Sequence, residues 1–222
     1  MRLLSVGLDF TGRWALLIGA GAVGRRKLAA LLEAGAKVRV VEPNPAPWLL
    51  ELASEGLVLL EKEFLEPFLD DGPWVFLAAK GGDETNEREV ARIAGLAKRR
   101  GLWLNSARSP KESDFFLPAV ASDEPFRLTV STGGSAPALA AKVAKDLKAA
   151  YQGYGALCRL LARVRPIVLA SGWPEADRRR AFQALAEDPK LAGLIQTGEA
   201  DLLRERLNGL LAPLSLPEGF PL

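Results

Sequence analysis

A short apolar run that ends in Gly19-Ala20-Gly21-Ala22-Val23-Gly24 and passes straight into a helical pattern leaves few folds open. The spacing is G-x-G-x-x-G. The first glycine permits a tight turn after a strand, the second leaves the backbone bare toward a diphosphate, and the third lets the helix lie close to the sheet. Free N–H groups at the start of the helix then face the phosphate charge. The strand reads over "WALLIGA", residues 14–20, and the helix over 22–34. Gly35 follows it in the place of a left-handed terminator. The next strand, "KVRVVEP", brings Glu42 to its end, 18 residues past the turn's last glycine. A carboxylate there accepts hydrogen bonds from ribose hydroxyls and repels a 2′-phosphate, which favours NAD over NADP. The alternatives are a glycine-rich turn without a ligand and a solvated strand end. The required context, strand before and helix after, favours the dinucleotide. Arg25 and Arg39 lie nearby in sequence.

Strand and helix continue to alternate through the first half. "LVLLEKEF" (57–64) reads as a third strand, and "WVFLAA" (74–79) as a strand buried on both faces. "ETNEREVARIAGLAKRRG" reads as a helix ending at Gly101, and "LWLNSA" as a fifth strand. That order predicts an α/β fold with a Rossmann-type, doubly wound parallel sheet. The pattern changes near residues 109–113. Two strands joined by the turn Ser122–Pro125 follow, then helices near 137–151, 154–170, 174–187 and 199–211, then a proline-rich irregular tail. Three parts are expected: a dinucleotide-binding domain over 1–112, a small α+β region over 113–150, and a helical domain over 151–222.

Composition narrows the chemistry. The chain has no histidine, so imidazole acid–base chemistry, histidine triads and histidine-ligated metals are out. Its single cysteine, Cys158, reads as a core residue and gives neither a disulfide framework nor a thiolate cluster; no metal site is expected. A net charge of +2 supplies no drive toward nucleic acid, and the tryptophans form no stacking array. The basic runs Arg25-Arg26-Lys27, Lys98-Arg99-Arg100 and Arg178-Arg179-Arg180 fall within helical patterns and read as solvated faces. No run approaches the ~18 apolar residues of a membrane span, and the first residues do not resemble a secretory leader. The expectation is a cytoplasmic protein with no membrane partner.

Four stretches occur in a telling order: "GRWALLIGAGAVGRRKLAALLEAGAKVRVVEP", "FLAAKGGDETNERE", "LNSARSPKESDFFLPAV" and "LTVSTGGSAPALAAKV". Together they resemble the precorrin-2 dehydrogenase/sirohydrochlorin ferrochelatase family, the N-terminal part of siroheme synthase. "DRRRAFQALAEDPKLAGLI" is similar to the family's helical C-terminal region. No methyltransferase segment follows within these residues, so a stand-alone form is expected. The resemblance implies NAD as cofactor, oxidation of precorrin-2 to sirohydrochlorin, a small-molecule tetrapyrrole substrate and a homodimer built through residues 113–150. It also implies that Ala78 and Ala79 let the dinucleotide approach the sheet edge, and that Ser131-Thr132-Gly133 lies near the tetrapyrrole. Thr132 stands where some members have serine.

One position departs from the family. Bifunctional members, which also insert iron, carry an Asn-x-x-Asp-x-Pro pattern whose acid removes protons. Here the run is Asn105-Ser106-Ala107-Arg108-Ser109-Pro110. Arginine accepts no proton at neutral pH, so metal insertion becomes doubtful. Arg108 either clamps a substrate carboxylate or forms a surface ion pair. Asp114 is a candidate proton acceptor or a plain loop acid. Ser131, Thr132 and Gly133 form either an anion site or a helix cap. Asn105 and Asn86 are candidates to hydrogen-bond cofactor or substrate. Two further functions stay open: a nucleotide-binding regulatory protein without catalysis, and a dehydrogenase of another polyanion.

Overall fold

The computed structural model describes residues 3–79 and 84–212. Residues 80–83 of the second quoted stretch, the side chain of Asn86 and the tail beyond 212 lie outside the described residues. The chain divides into two compact units, Arg2–Leu117 and Pro118–Leu222.

The first unit is a five-stranded parallel sheet in the order β3-β2-β1-β4-β5. The strands are β1 (Trp14–Ile18), β2 (Lys37–Val41), β3 (Val58–Glu61), β4 (Trp74–Leu77) and β5 (Trp103–Ser106). The connections are α1 (Ala22–Glu33), α2 (Pro47–Ser54), a 3-10 turn Glu66–Asp70 and α3 (Glu84–Arg99). The order runs outward both ways from β1, so the switch point lies between β1 and β4, at the end of the glycine turn. Alternation explains the double burial. Ala15 and Leu17 of β1, with Trp74 and Phe76 of β4, enter the core that includes Leu28 and Leu31 of α1. Leu16, Ile18, Val75 and Leu77 enter the opposite core with Ile93 and Ala97 of α3. The Rossmann-type sheet expected from the alternation is present.

Two details differ from the sequence reading. The segment between the second and third strands holds α2, with Pro47 in its first turn, a position where proline costs nothing because that N–H has no intrahelical partner. The third strand is only four residues long. Arg39 ends its reach in a clamp, donating to Glu61 at 2.6 Å and Asp71 at 2.7 Å.

The second unit begins with the antiparallel hairpin β6 (Ala119–Asp123) and β7 (Phe126–Val130), against which α4 (Pro137–Ala150) packs. α5 (Tyr154–Ala170), α6 (Glu175–Glu187), α7 (Leu191–Thr197) and α8 (Ala200–Leu210) follow. Leu157, Leu160, Val164 and Val168 give α5 one apolar stripe, which meets Leu185, Leu191, Leu203 and Leu207. Asp123 joins hairpin to helices by accepting N–H bonds from Gly153 at 2.8 Å and Gly155 at 3.0 Å. Helix α7, unexpected after Pro189, starts because buried Asp188 accepts the N–H groups of Lys190 and Leu191 at 3.0 and 3.2 Å. Arg206 pairs with the same carboxylate. Burial acts to raise the Asp188 pKa, yet the Arg206 and backbone hydrogen bonds outweigh it and hold it low. Cys158 is half-buried rather than central.

Candidate nucleotide and redox site

The three glycines of the turn do different work. Gly19 has φ +90°, and a Cβ there would sit 2.5 Å from the Cα of Ala79. A Cβ on Gly24 would sit 2.0 Å from the Gly19 carbonyl oxygen. Both glycines are demanded by the protein's own packing. Gly21 is not. Its φ of −63° and ψ of −171° suit any residue, and a Cβ there would meet no atom of the described residues within 4 Å. Packing among the described residues does not require glycine there.

The helix start beside it is set up for an anion. The first bond back into the turn runs from Arg25 N–H to Gly21 C=O at 2.8 Å. The N–H groups of Ala22, Val23 and Gly24 precede it and have no carbonyl one turn earlier to reach. Among the described residues no side chain caps them, and the first turn carries no acid. The positive end of the helix dipole is therefore not neutralised from within. These residues fit a diphosphate.

Glu42 stands at the end of β2, as expected, but its carboxylate also organises the turn. One oxygen accepts the Ala20 N–H at 2.8 Å and the other the Asn44 N–H at 3.2 Å. A carboxylate offers about four acceptor directions, so capacity for ribose hydroxyls is left. Arg39 is committed to Glu61 and Asp71. Arg25 lies over the Trp48 ring, 4.9 Å from its centroid. On the other side of β1, the Ala78 N–H donates to the Ile18 carbonyl at 2.8 Å, and Ala79 lies against Gly19. Glycine and two alanines thus let β1 and β4 come together at the mouth of the switch point.

Lys27 corrects the reading of the Arg25-Arg26-Lys27 run as a solvated face. It lies in the buried stripe Gly24, Lys27, Leu28, Leu31 and is only 9% exposed. Its ammonium donates to Asn105 Oδ1, and Asn105 Nδ2 donates to the Phe115 carbonyl at 2.7 Å. The signal was available in the spacing: three and four residues separate Lys27 from other members of the apolar stripe.

The remaining candidates are held by neighbours. Asp114 accepts the Leu104 N–H at 2.9 Å and returns its own N–H to the Leu104 carbonyl at 2.8 Å, closing the free edge of β5 as another strand would. Arg108 donates to Glu87 at 2.6 Å; both side chains are well exposed, so the pair adds little stability. Ser131, Thr132 and Gly133 belong to the second unit. There the Ser131 hydroxyl accepts the Gly133 N–H at 3.2 Å and the Thr132 hydroxyl accepts the Ala136 N–H at 3.1 Å, just before α4.

Residues 6–119 match the family model described as "Putative NAD(P)-binding". The chain is 32% identical over 214 residues to a siroheme synthase of Chromobacterium violaceum, covering 96% of this chain and 44% of that one. It is 34% identical over 188 residues to a siroheme synthase of Methylococcus capsulatus, covering 84% of this chain and 38% of that one. The chain therefore spans less than half the length of these curated relatives. The solved structure of SirC, a precorrin-2 dehydrogenase, has the same fold, with a TM-score of 0.70 and 21% identity over 93% of this chain and 100% of that one.

Proposed function

We propose that this chain, which belongs to the family described as putative NAD(P)-binding, oxidises precorrin-2 to sirohydrochlorin with NAD+ as the hydride acceptor. The observation that carries the reading is Gly21: a bare residue that the fold does not require, beside uncapped helix N–H groups. Bound NAD+ supplies an electrophilic ring that takes up hydride.

The chain's own part is to bind, orient and exclude. The amides of Ala22, Val23 and Gly24 receive the diphosphate, and Gly19 and Gly21 keep its approach clear. Glu42 receives the ribose hydroxyls with its remaining acceptor capacity and disfavours a 2′-phosphate. Ala78 and Ala79 let the nicotinamide half lie against the sheet edge, within reach of Asn105. Positioning of this kind supplies much of the rate in hydride transfer. Arg108 exchanges its exposed Glu87 partner for a substrate carboxylate. The substrate gives up one hydride and one proton. With arginine at 108 and Asp114 bonded to the β5 edge, water takes the proton. Metal insertion, which must release pyrrole protons, is not part of this reading. A homodimer through 113–150 goes with it, since among the described residues β6 and β7 each leave one strand edge unpaired. So does a cytoplasmic location; no described helix is long and apolar enough to cross a membrane.

The test is anaerobic incubation of the purified chain with precorrin-2 and either coenzyme, followed by absorbance. Sirohydrochlorin is expected with NAD+, and at least about tenfold more slowly with NADP+, because Glu42 faces the added phosphate with like charge. Equal rates would remove the case for NAD. The Arg108–Glu87 pair favours a second reading, a nucleotide-binding protein without turnover. It gains if NAD+ binds and no sirohydrochlorin forms.

A further inference from the structure

The buried polar side chains among the described residues are Lys27, Asn105, Ser106 and Asp188. Asp188 has Arg206, and the Ser106 hydroxyl accepts the Ser109 N–H at 3.2 Å. Lys27 has no carboxylate among the described residues. Its Nζ reaches the Asn105 amide oxygen and lies 5.8 Å from the centre of the Phe76 ring. A buried ammonium without a counter-charge is destabilising, and an apolar side chain of similar length would pack there at lower cost. The charge needs a use.

Its place suggests one. Glu42, at the end of β2, marks the adenosine half of a doubly wound nucleotide site. β4 and β5 lie on the other side of β1 and mark the nicotinamide half. Phe76 and Asn105 are register partners on β4 and β5, one residue short of both strand ends. Lys27 is thus a fixed charge beneath the nicotinamide half, in surroundings of low polarity.

Resting on the coenzyme reading above, we propose that Lys27 poises the bound coenzyme: its buried ammonium disfavours the cationic oxidised nicotinamide relative to the neutral reduced ring, and so favours hydride acceptance. The charge is itself titratable. Burial, then Arg26, lowers the Lys27 pKa to about 8. The elements around it bring few rivals. β1, β4 and β5 carry no ionisable side chain. On β2, Arg39 is held by Glu61 and Asp71, and Lys37 lies over the Trp14 ring. From the segment after β5 come Arg108, paired with Glu87, Asp114, bonded to backbone, and the exposed Lys111 and Glu112. On α1 itself, Arg25 lies over Trp48.

The experiment is a titration of NAD+ and of NADH into the wild-type chain and Lys27→Met across a pH series, read as the ratio of the two affinities. Below pH 8 the wild type is expected to prefer NADH about tenfold more than the variant does, a unit charge at close range in a medium of moderate polarity. As pH rises through about 8 the ammonium is lost, and the wild-type ratio falls toward that of the variant. The variant's ratio stays flat. A merely structural lysine would change both affinities together and leave the ratio unmoved. A wild-type ratio that is flat across the same range overturns the proposal, even where the variant does not fold. Binding of neither coenzyme to the wild type overturns the coenzyme reading itself, and this inference with it.

Discussion

Replacing Gly21 by aspartate is expected to abolish coenzyme binding and leave the fold intact. The residue stands at the N-cap of α1 with an extended backbone, and no atom of the described residues lies within 4 Å of where its Cβ would be. Aspartate is among the best N-cap residues, because its carboxylate accepts the N–H groups of the helix's first turn. In Gly21→Asp that carboxylate takes the amides of Val23 and Gly24 for itself and sets a negative charge where the diphosphate would lie. Affinity for NAD+ should fall at least about a hundredfold, some 2.7 kcal/mol, which is the scale of a few charge-assisted hydrogen bonds. The unfolding midpoint should hold or rise slightly. Calorimetric titration and thermal unfolding of the same preparation read the two effects. Undiminished binding would mean that the turn does not receive the coenzyme. Unfolding would mean that Gly21 serves packing after all.

Gly24→Ala is the complementary case, and its expected effect is on stability. The added methyl would lie 2.0 Å from the Gly19 carbonyl oxygen, a backbone atom that cannot swing aside. Relief requires α1 to lift from the end of β1, and with it Leu28 and Leu31 from the core. Alanine gains up to about 1 kcal/mol over glycine in a helix, but overpacking against backbone outweighs that. A net loss of about 3 kcal/mol in the first unit is expected, at the upper end for a core insertion. Denaturant unfolding, followed through the tryptophans of the first unit, measures it. Wild-type stability would contradict the close approach of helix and turn on which the site is built.

The two substitutions show how much of this molecule can be read in advance. The turn, its strand and its helix were legible because three signals of different origin coincide: an apolar run, a glycine spacing and a 3.6-residue stripe. Glu42 was legible as an acid at the end of β2. Its bond to the Ala20 N–H was not, since contacts across the sheet follow from register, which a strand pattern does not give. Helix α2 was not assigned: Pro43, Pro45 and Pro47 crowd its start, and only the last of them proves to be a first-turn residue. Helix α7 is a seven-residue element that depends on Asp188 and on core contacts of Leu191. Tertiary packing, not propensity, decides such short pieces. Lys27 was masked by its company, because two arginines before it make the run look solvated. The Asp114 carboxylate accepts the Leu104 N–H at the edge of β5, a contact that its place in the sequence did not give.

The central claim is that this chain brings a nicotinamide ring and precorrin-2 together for hydride transfer, and the transferred atom is its most direct witness. Precorrin-2 deuterated at the carbons that lose hydrogen is incubated with the purified chain and NAD+ without oxygen, and the reduced coenzyme is weighed by mass spectrometry. The account predicts deuterium in the NADH, in step with sirohydrochlorin formed. Sirohydrochlorin appearing while the coenzyme stays oxidised or unlabelled would contradict it.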